Sequence, residues 1–552
     1  MDVRRKFSVN QQTKQLTAIL LSMGIVLSGC ATQKDKATTV ESLSKSHDKQ
    51  ALRLVETSEL SSMDSSLVED STTLSVLNNV MEGLFRQGKD SQPVQGIAKS
   101  YTVSKDKKTY VFKLRDALWS NGDPVTAHDF EYGWKRTLDP ATASQYAYIM
   151  YDVKNAKKIN EKQLPVDQLG VKAIDDHTLE VQLDNPVPYF LSLTTLAPFM
   201  PQDEKVVEQQ GKNYGMEANS VVYDGPFKMS EWKHEQSFKL VKNPEYWDKN
   251  TVKLDEINFN IAKDSATAIN LYQTGAIDRV SLTAEFVDKY KSDKEFKTAQ
   301  EGRLIYLKLN NQNAILKNVN ARKAIDMGYN KKEITDVLLN NGSTPAYYFV
   351  AKNLAYGPDG QDFDDTTGDF NKTNIEKAKE YWEKAKQELG KQTVAIELLI
   401  AEDDSNKKIS QYLKFELEKN LPGLTVNIKM QPAQPKFALE DNLQYDMSLA
   451  GWGPDYPDPM TFLDKWITNN NIAYSNPKYD ELITKAKTTL LQDPKSRWKA
   501  LAEAEKQLLE KDAAISPMYQ NGVAYLEKSY VKNVYNHPYG VKNSYKWAYI
   551  KK

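Results

Sequence analysis

Along most of the chain apolar residues recur at one of two spacings, and the spacing names the element. Tyr110, Phe112 and Leu114 alternate with Val111, Lys113 and Arg115, the period-two pattern of a half-buried strand. Leu52 and Leu54 with the β-branched Val55 and Thr57 predict an earlier strand, and Leu179, Val181 and Leu183 a later one stopped by Asn185-Pro186 and Pro188. Further strands are predicted at 227–229, 237–241 and 257–261. Helices are marked by their caps. Thr126-Ala127-His128-Asp129 has capping-box spacing and leads into Phe130, Trp134 and Leu138 on one face. Ser71-Thr72-Thr73 reads as a hydroxyl cap ahead of Leu74, Val76, Leu77 and Val80, and 266–273 reads as a helix ended by Gly275.

Beyond about Leu304 the pattern changes character. Asn374 caps a helix whose Ile375, Ala378, Trp382, Ala385 and Leu389 form a stripe, and Gly390 stops it. Strand 393–400, helix 405–420, strand 424–430, a short helix at 434–441 and strand 445–450 then alternate, and a helix follows at 496–511. Such alternation implies an α/β sheet with parallel pairs joined by right-handed crossovers. Ligands of open α/β sheets sit beyond the carboxyl ends of strands, which makes the loop after Ala450 the candidate site. It breaks at Gly451 and Gly453 and presents Trp452, Asp455 and Tyr456. An aromatic wall beside one carboxylate is suited to hold a cation, although Pro-Asp is also ordinary turn chemistry.

Composition narrows the function. A chain of 552 residues exceeds one core and implies about three or four domain-sized units. The net charge of -1, the pI near 6.6 and the intermixed signs exclude a nucleic-acid footprint. The one cysteine, Cys30, permits neither an intramolecular disulfide nor a cysteine-based metal site. Its position explains it. Arg4, Arg5 and Lys6 precede an apolar run, Leu16 to Leu27, too short to rest as a membrane-spanning helix, so residues 1–29 read as an export signal. Leu27-Ser28-Gly29-Cys30 resembles the lipobox of bacterial lipoproteins, which implies a lipidated Cys30. Residues 31–50 are polar and free of aromatics, a flexible tether. The folded part would then sit lipid-anchored on the extracytoplasmic face of the cell membrane.

Catalytic and cofactor motifs are missing from the pattern. The five histidines are dispersed, and His234-Glu235 lacks the second histidine of a zincin helix. Gly451-x-Gly453 lacks the third glycine of a dinucleotide fingerprint, and neither a nucleophile elbow nor a Walker loop occurs. No catalytic residue, metal or cofactor is assigned. The acidic doublets Asp403-Asp404 and Asp364-Asp365 read as solvated loop faces.

Several stretches in order carry a resemblance. Lys113-Leu114-Arg115-Asp116-Ala117-Leu118-Trp119-Ser120-Asn121-Gly122-Asp123-Pro124-Val125-Thr126-Ala127-His128-Asp129-Phe130 resembles the signature of the family-5 extracellular solute-binding proteins. Glu82-Gly83-Leu84, Asp175-Asp176-His177-Thr178-Leu179, Asn243-Pro244-Glu245-Tyr246-Trp247 and Ala450-Gly451-Trp452 with Asp455-Tyr456 are similar to its oligopeptide-binding branch. The resemblance implies a type II periplasmic-binding-protein fold, with two main lobes of mixed sheets, an extra domain and the ligand in the interlobe cleft. Lobe I would comprise 51–83, 225–305 and 523–552, the extra domain 84–224 and lobe II 306–522. It further implies a monomeric receptor that hands oligopeptides, peptide pheromones among them, to the permease of an ABC importer. Asp455 would receive the peptide's α-amino group, Gly451, Trp452, Gly453 and Tyr456 would line one side, and Ser71 and Thr72 the opposite lobe. One departure stands out: where members suited to very short peptides carry Arg and His, this chain has Leu449, Glu440 and Asn406, which implies longer or specialised ligands. An extracellular lipid-anchored peptidase is the alternative from another class.

Overall fold

Three sheets organise residues 49–551, the part of the chain that the computed structural model describes. The export signal, Cys30 and the tether up to residue 48 lie outside the described residues. The first sheet has four strands ordered Ala51–Glu56, Glu256–Ile261, Ser237–Lys242 and Phe227–Lys233, with the outer pair of the first two parallel and the rest antiparallel. Lys49 and Gln50, which composition assigns to the tether, are instead tied to this sheet: Lys49 pairs with Glu256 at 2.6 Å, and the Gln50 backbone N–H donates to Asp255 at 3.0 Å. The second sheet is antiparallel, in the order Ala98–Val103, Thr109–Leu114, Thr178–Gln182 and Val171–Asp175. Tyr110, Phe112 and Leu114 are buried on its inner face, as their alternation requires. Helix Ala127–Leu138, opened by the capping box of Thr126 and Asp129, lays Phe130, Trp134 and Leu138 into the same core.

The third sheet is the largest and is mixed. Its seven strands run Arg279–Leu282, Ile515–Glu527, Phe296–Leu309, Met447–Trp452, Val394–Ala401 and Leu424–Gln431, with Thr344–Pro345 beside Ile515–Glu527. The expected parallel pairs are present where β and α alternate: Val394–Ala401 is parallel to both Leu424–Gln431 and Met447–Trp452. The other half is antiparallel and dominated by Phe296–Leu309 and Ile515–Glu527, whose register shifts between Gln300 and Leu304. Helix Ile375–Leu389 starts at Asn374, ends at Gly390 with φ +64° and buries Ala378, Trp382 and Ala385.

One local expectation is corrected, and a second in part. The cap of helix Ser71–Val80 is Asp70 rather than the hydroxyl cluster, because its carboxylate accepts the Thr73 N–H at 2.9 Å while Thr72 bonds Ser58. Of the acidic doublets, Asp403, Asp404 and Asp365 are exposed as expected, and only Asp364 is half-buried. Asp403 caps helix Asp404–Asn420 by accepting the Asn406 N–H at 2.8 Å, and Asp364 pairs with Lys352 at 3.0 Å.

Candidate functional site

The strand leading into the site runs two residues further than its apolar pattern. Met447–Trp452 continues through Gly451 and Trp452 because Phe296–Leu309 pairs with it that far, Gly451 opposite Ile305 and Trp452 opposite Leu304. Its two faces then differ. Leu449 is buried in the core formed by this sheet and its helices, whereas Ser448 is paired with Lys308 on the other face. Gly451 leaves room for a neighbour, since a Cβ there would meet the Arg303 guanidinium at 2.8 Å. Gly453 is exposed, with nothing within 4 Å of where a Cβ would stand.

After the strand the chain is pinned at several points. The Trp452 indole N–H donates to the Thr461 carbonyl at 2.9 Å, and the Asp455 N–H donates to Thr461 Oγ1 at 3.1 Å. Pro454 O accepts the Gly540 N–H at 3.0 Å. Asp458, buried, takes both η nitrogens of Arg497 at 2.8 Å each. Tyr456 stacks on Tyr189, ring centroids 4.1 Å apart and planes 17° apart. A loop held this way keeps its side chains in fixed places, which lowers the entropy lost when a ligand arrives.

Asp455 sits at a junction between distant parts of the chain. Its Oδ1 accepts the hydroxyl of Tyr146 at 2.6 Å, a residue next to Ala147–Met150 in the stretch that carries the second sheet. Among the described residues its other oxygen has no hydrogen-bond partner. Burial pushes the carboxyl up to about 6, against the Tyr146 hydrogen bond and Lys465, which favour the ionised form. Burial and the same carboxylate push the Tyr146 phenol up. Lys465 stands with its ammonium 3.2 Å from the centroid of the Trp452 ring, and burial, then Lys308, pull it down to about 8. Beneath lies a closed group, Glu440 between Lys308 at 2.7 Å and Lys436, with Ser448 donating to it at 2.5 Å.

The residues singled out from sequence thus fall into two sets. Gly451, Trp452, Gly453, Asp455 and Tyr456 come together on one strand end and its loop. Ser71 and Thr72 occupy the first turn of a helix, and no hydrogen bond joins them to that loop; burial, then Asp455 and Glu69, push the Tyr148 phenol up. At the three departing positions Leu449 is core, Glu440 is saturated by two lysines, and Asn406 bonds Asp403. Tyr146, Tyr189 and Lys465 were not legible as partners. Tyr146 lies 309 residues from Asp455 in a tyrosine-rich segment without a motif, and only the fold brings the two together. Among the described residues no cluster of three metal-ligating side chains occurs, and no helix is long and apolar enough to cross a membrane.

Comparison with known proteins gives concordant results. The chain is 34% identical over 548 residues to the dipeptide-binding protein DppE of Bacillus subtilis, covering 98% of this chain and 99% of that protein. The substrate-binding domain of an oligopeptide ABC transporter from Bacillus anthracis superposes with a TM-score of 0.83 at 47% identity, over 92% of this chain and 99% of that one. The pheromone receptor PrgZ, solved for its mode of peptide binding, superposes with a TM-score of 0.81 at 36% identity, over 91% and 100%. The family model described as bacterial extracellular solute-binding proteins, family 5 Middle, matches residues 92–474, and with a fold shared over nine-tenths of its length the chain belongs to that family.

Proposed function

We propose that this protein is an extracytoplasmic peptide receptor, tethered through a lipid on Cys30, that captures oligopeptides between two lobes and delivers them to an ABC importer. The reading draws on its relatives, which include a dipeptide-binding protein, an oligopeptide transporter's binding domain and a pheromone receptor. The observation that carries it is the half-buried Asp455 carboxylate, one oxygen fixed by Tyr146 and the other accessible, on a loop whose neighbours are fixed. A half-buried carboxylate, held by Tyr146 at one oxygen and open at the other, can take a peptide's α-ammonium in a charge-assisted hydrogen bond. Peptide main chain carries the same donors and acceptors whatever its sequence. Recognition by strand ends, as in strand addition, would therefore be broad, with side chains in hydrated pockets.

The lobes we assign are 51–83 with 225–305 and 523–552, and 306–522, with 84–224 as the extra domain. Both long strands, Phe296–Leu309 and Ile515–Glu527, cross these boundaries, and the register shift after Gln300 is where a hinge would bend. The receptor acts as a monomer without cofactor or catalytic residue.

The test is to incubate the purified protein with a peptide mixture and weigh what stays bound. Intact peptides are expected; shortened products would indicate a peptidase instead. Asp455→Ala should weaken free-amine peptides far more than their N-acetylated counterparts. An equal loss for both would remove Asp455 from the amino-terminal role.

A further inference from the structure

The charges behind Trp452 do not balance. Three ammonium groups, those of Lys308, Lys436 and Lys465, face two carboxylates, those of Glu440 and Asp455. Asp464, the remaining acid that acts on Lys465, is already engaged by Lys487 at 2.6 Å. Glu440 is fully used by Lys308, Lys436 and Ser448. Lys465 itself has no hydrogen bond and no ion pair among the described residues, only the face of the Trp452 indole, held in place by its bond to Thr461. Were Lys465 a plain structural partner of Asp455, the two would be in contact, as Asp458 and Arg497 are three residues further along. They are instead neighbours that influence each other without touching.

Arrival of a peptide ammonium at Asp455 worsens this imbalance. Four cations would then surround two anions in a partly buried place, where like charges are poorly screened. A ligand that brings a carboxylate beside its ammonium removes the strain. Lys465 offers it three free N–H donors above an aromatic face, which holds the ammonium in place without consuming them.

We infer that Lys465 is a specificity residue, the counter-ion for a ligand carboxylate lying close to the ligand's α-ammonium. This rests on the peptide reading above. Two sources present that chemistry: an acidic side chain near the amino terminus, or the C-terminal carboxylate of a dipeptide. Both differ from the expectation of longer ligands drawn from Leu449, Glu440 and Asn406, because the cation comes from the loop instead of those three positions.

The experiment measures affinities of four synthetic peptides by titration calorimetry: Glu-Ala-Ala-Ala, Gln-Ala-Ala-Ala, Ala-Ala and Ala-Ala amide. The native protein should prefer the carboxylate-bearing member of at least one pair by about tenfold, the scale of one unshielded ion pair. The Glu/Gln pair reads the side-chain source, and the acid/amide pair reads the C-terminal source. Lys465→Met should bring the preference to within about twofold while binding of Gln-Ala-Ala-Ala persists, and Lys465→Arg should keep it. Should the methionine variant fail to fold, Lys465→Gln, which keeps a polar end beside the Trp452 ring but no charge, makes the same test. Peptides bound with no preference in either pair, or a preference that survives Lys465→Met or Lys465→Gln, would overturn the inference and leave the peptide reading intact. Failure of all four, and of a longer peptide mixture, to bind would overturn both.

Discussion

Asp455 and Asp458 stand three residues apart on one loop and are held in opposite ways. Asp458 is buried with both oxygens on the guanidinium of Arg497, whose Nε–H in turn donates to the Ala486 carbonyl at 3.0 Å. Asp455 has one oxygen on a phenol from a distant segment, while the nearest cation stops short of contact. The first arrangement is complete in the absence of ligand and fastens the loop to the helices behind it. The second is open: one oxygen is fixed and the other is accessible, the geometry that the proposed role with a peptide ammonium requires. The same residue type is therefore closed off by the fold at one position and left accessible at the other.

The largest effect expected from this contrast is on stability. Arg497→Met leaves Asp458 as an uncompensated buried charge and should cost about 3–5 kcal/mol. Asp455→Asn removes a charge that burial already disfavours and should change stability by less than about 1 kcal/mol. Urea denaturation of the two variants checks this. Equal losses would mean that the two carboxylates do not differ in the way their contacts suggest.

A second effect, on affinity, follows from protonation. The Asp455 carboxyl is raised to about 6, above the ordinary range near 4, so between those values the folded chain keeps a proton that the unfolded chain releases. Its contribution to stability accordingly improves as pH falls through 6. Ligand binding has the opposite sign, because a peptide ammonium requires the ionised form. Affinity for free-amine peptides should thus fall as pH drops from 7 to 5, by up to about tenfold per unit below 6, while Asp455→Asn should show a flat profile. Tyr146→Phe sharpens the same point: without its hydrogen bond the carboxyl rises further, and the fall in affinity should begin at higher pH. An unchanged profile in that variant would show that the phenol does not tune the acid.

How much of this was readable in advance follows the same division between local and spatial causes. Helix Ile375–Leu389 was legible from cap to stop because Asn374, the apolar stripe and Gly390 are all local signals. The alternating strands at Tyr110 and Leu179 were legible for the same reason. The two longest strands were not. Phe296–Leu309 begins with Lys297, Thr298, Gln300, Glu301, Gly302 and Arg303, and Ile515–Glu527 contains Pro517 and Gly522, so neither shows a strand pattern throughout. Each is extended because the other pairs with it. In the site, Asp455 stood out because it follows a strand end, a local fact, and the resemblance of Ala450-Gly451-Trp452 with Asp455-Tyr456 to a known family reinforced it. The opposing contributors had no local mark. Ser71 and Thr72 were placed by analogy, whereas Tyr146 and Lys465 become partners only when the chain is folded.

The smallest expected effect separates folding from binding at the two glycines flanking Trp452. At Gly453 a Cβ meets nothing within 4 Å, so Gly453→Ala should leave stability within about 0.5 kcal/mol of the native protein. At Gly451 a Cβ falls 2.7 Å from the end of Ile305 and 2.8 Å from the Arg303 guanidinium, both flexible side-chain ends. Gly451→Ala should therefore cost somewhat more, about 1 kcal/mol, as those ends move aside. Affinity should rank the other way if Gly453 faces the ligand, because the space that makes its methyl harmless to the fold is the space a peptide would need. Gly453→Ala should then weaken peptide binding several-fold with no change in the urea midpoint. A Gly453→Ala variant that binds as well as the native protein would place the peptide elsewhere along the loop, leaving Asp455 to be reached from the side of Tyr146.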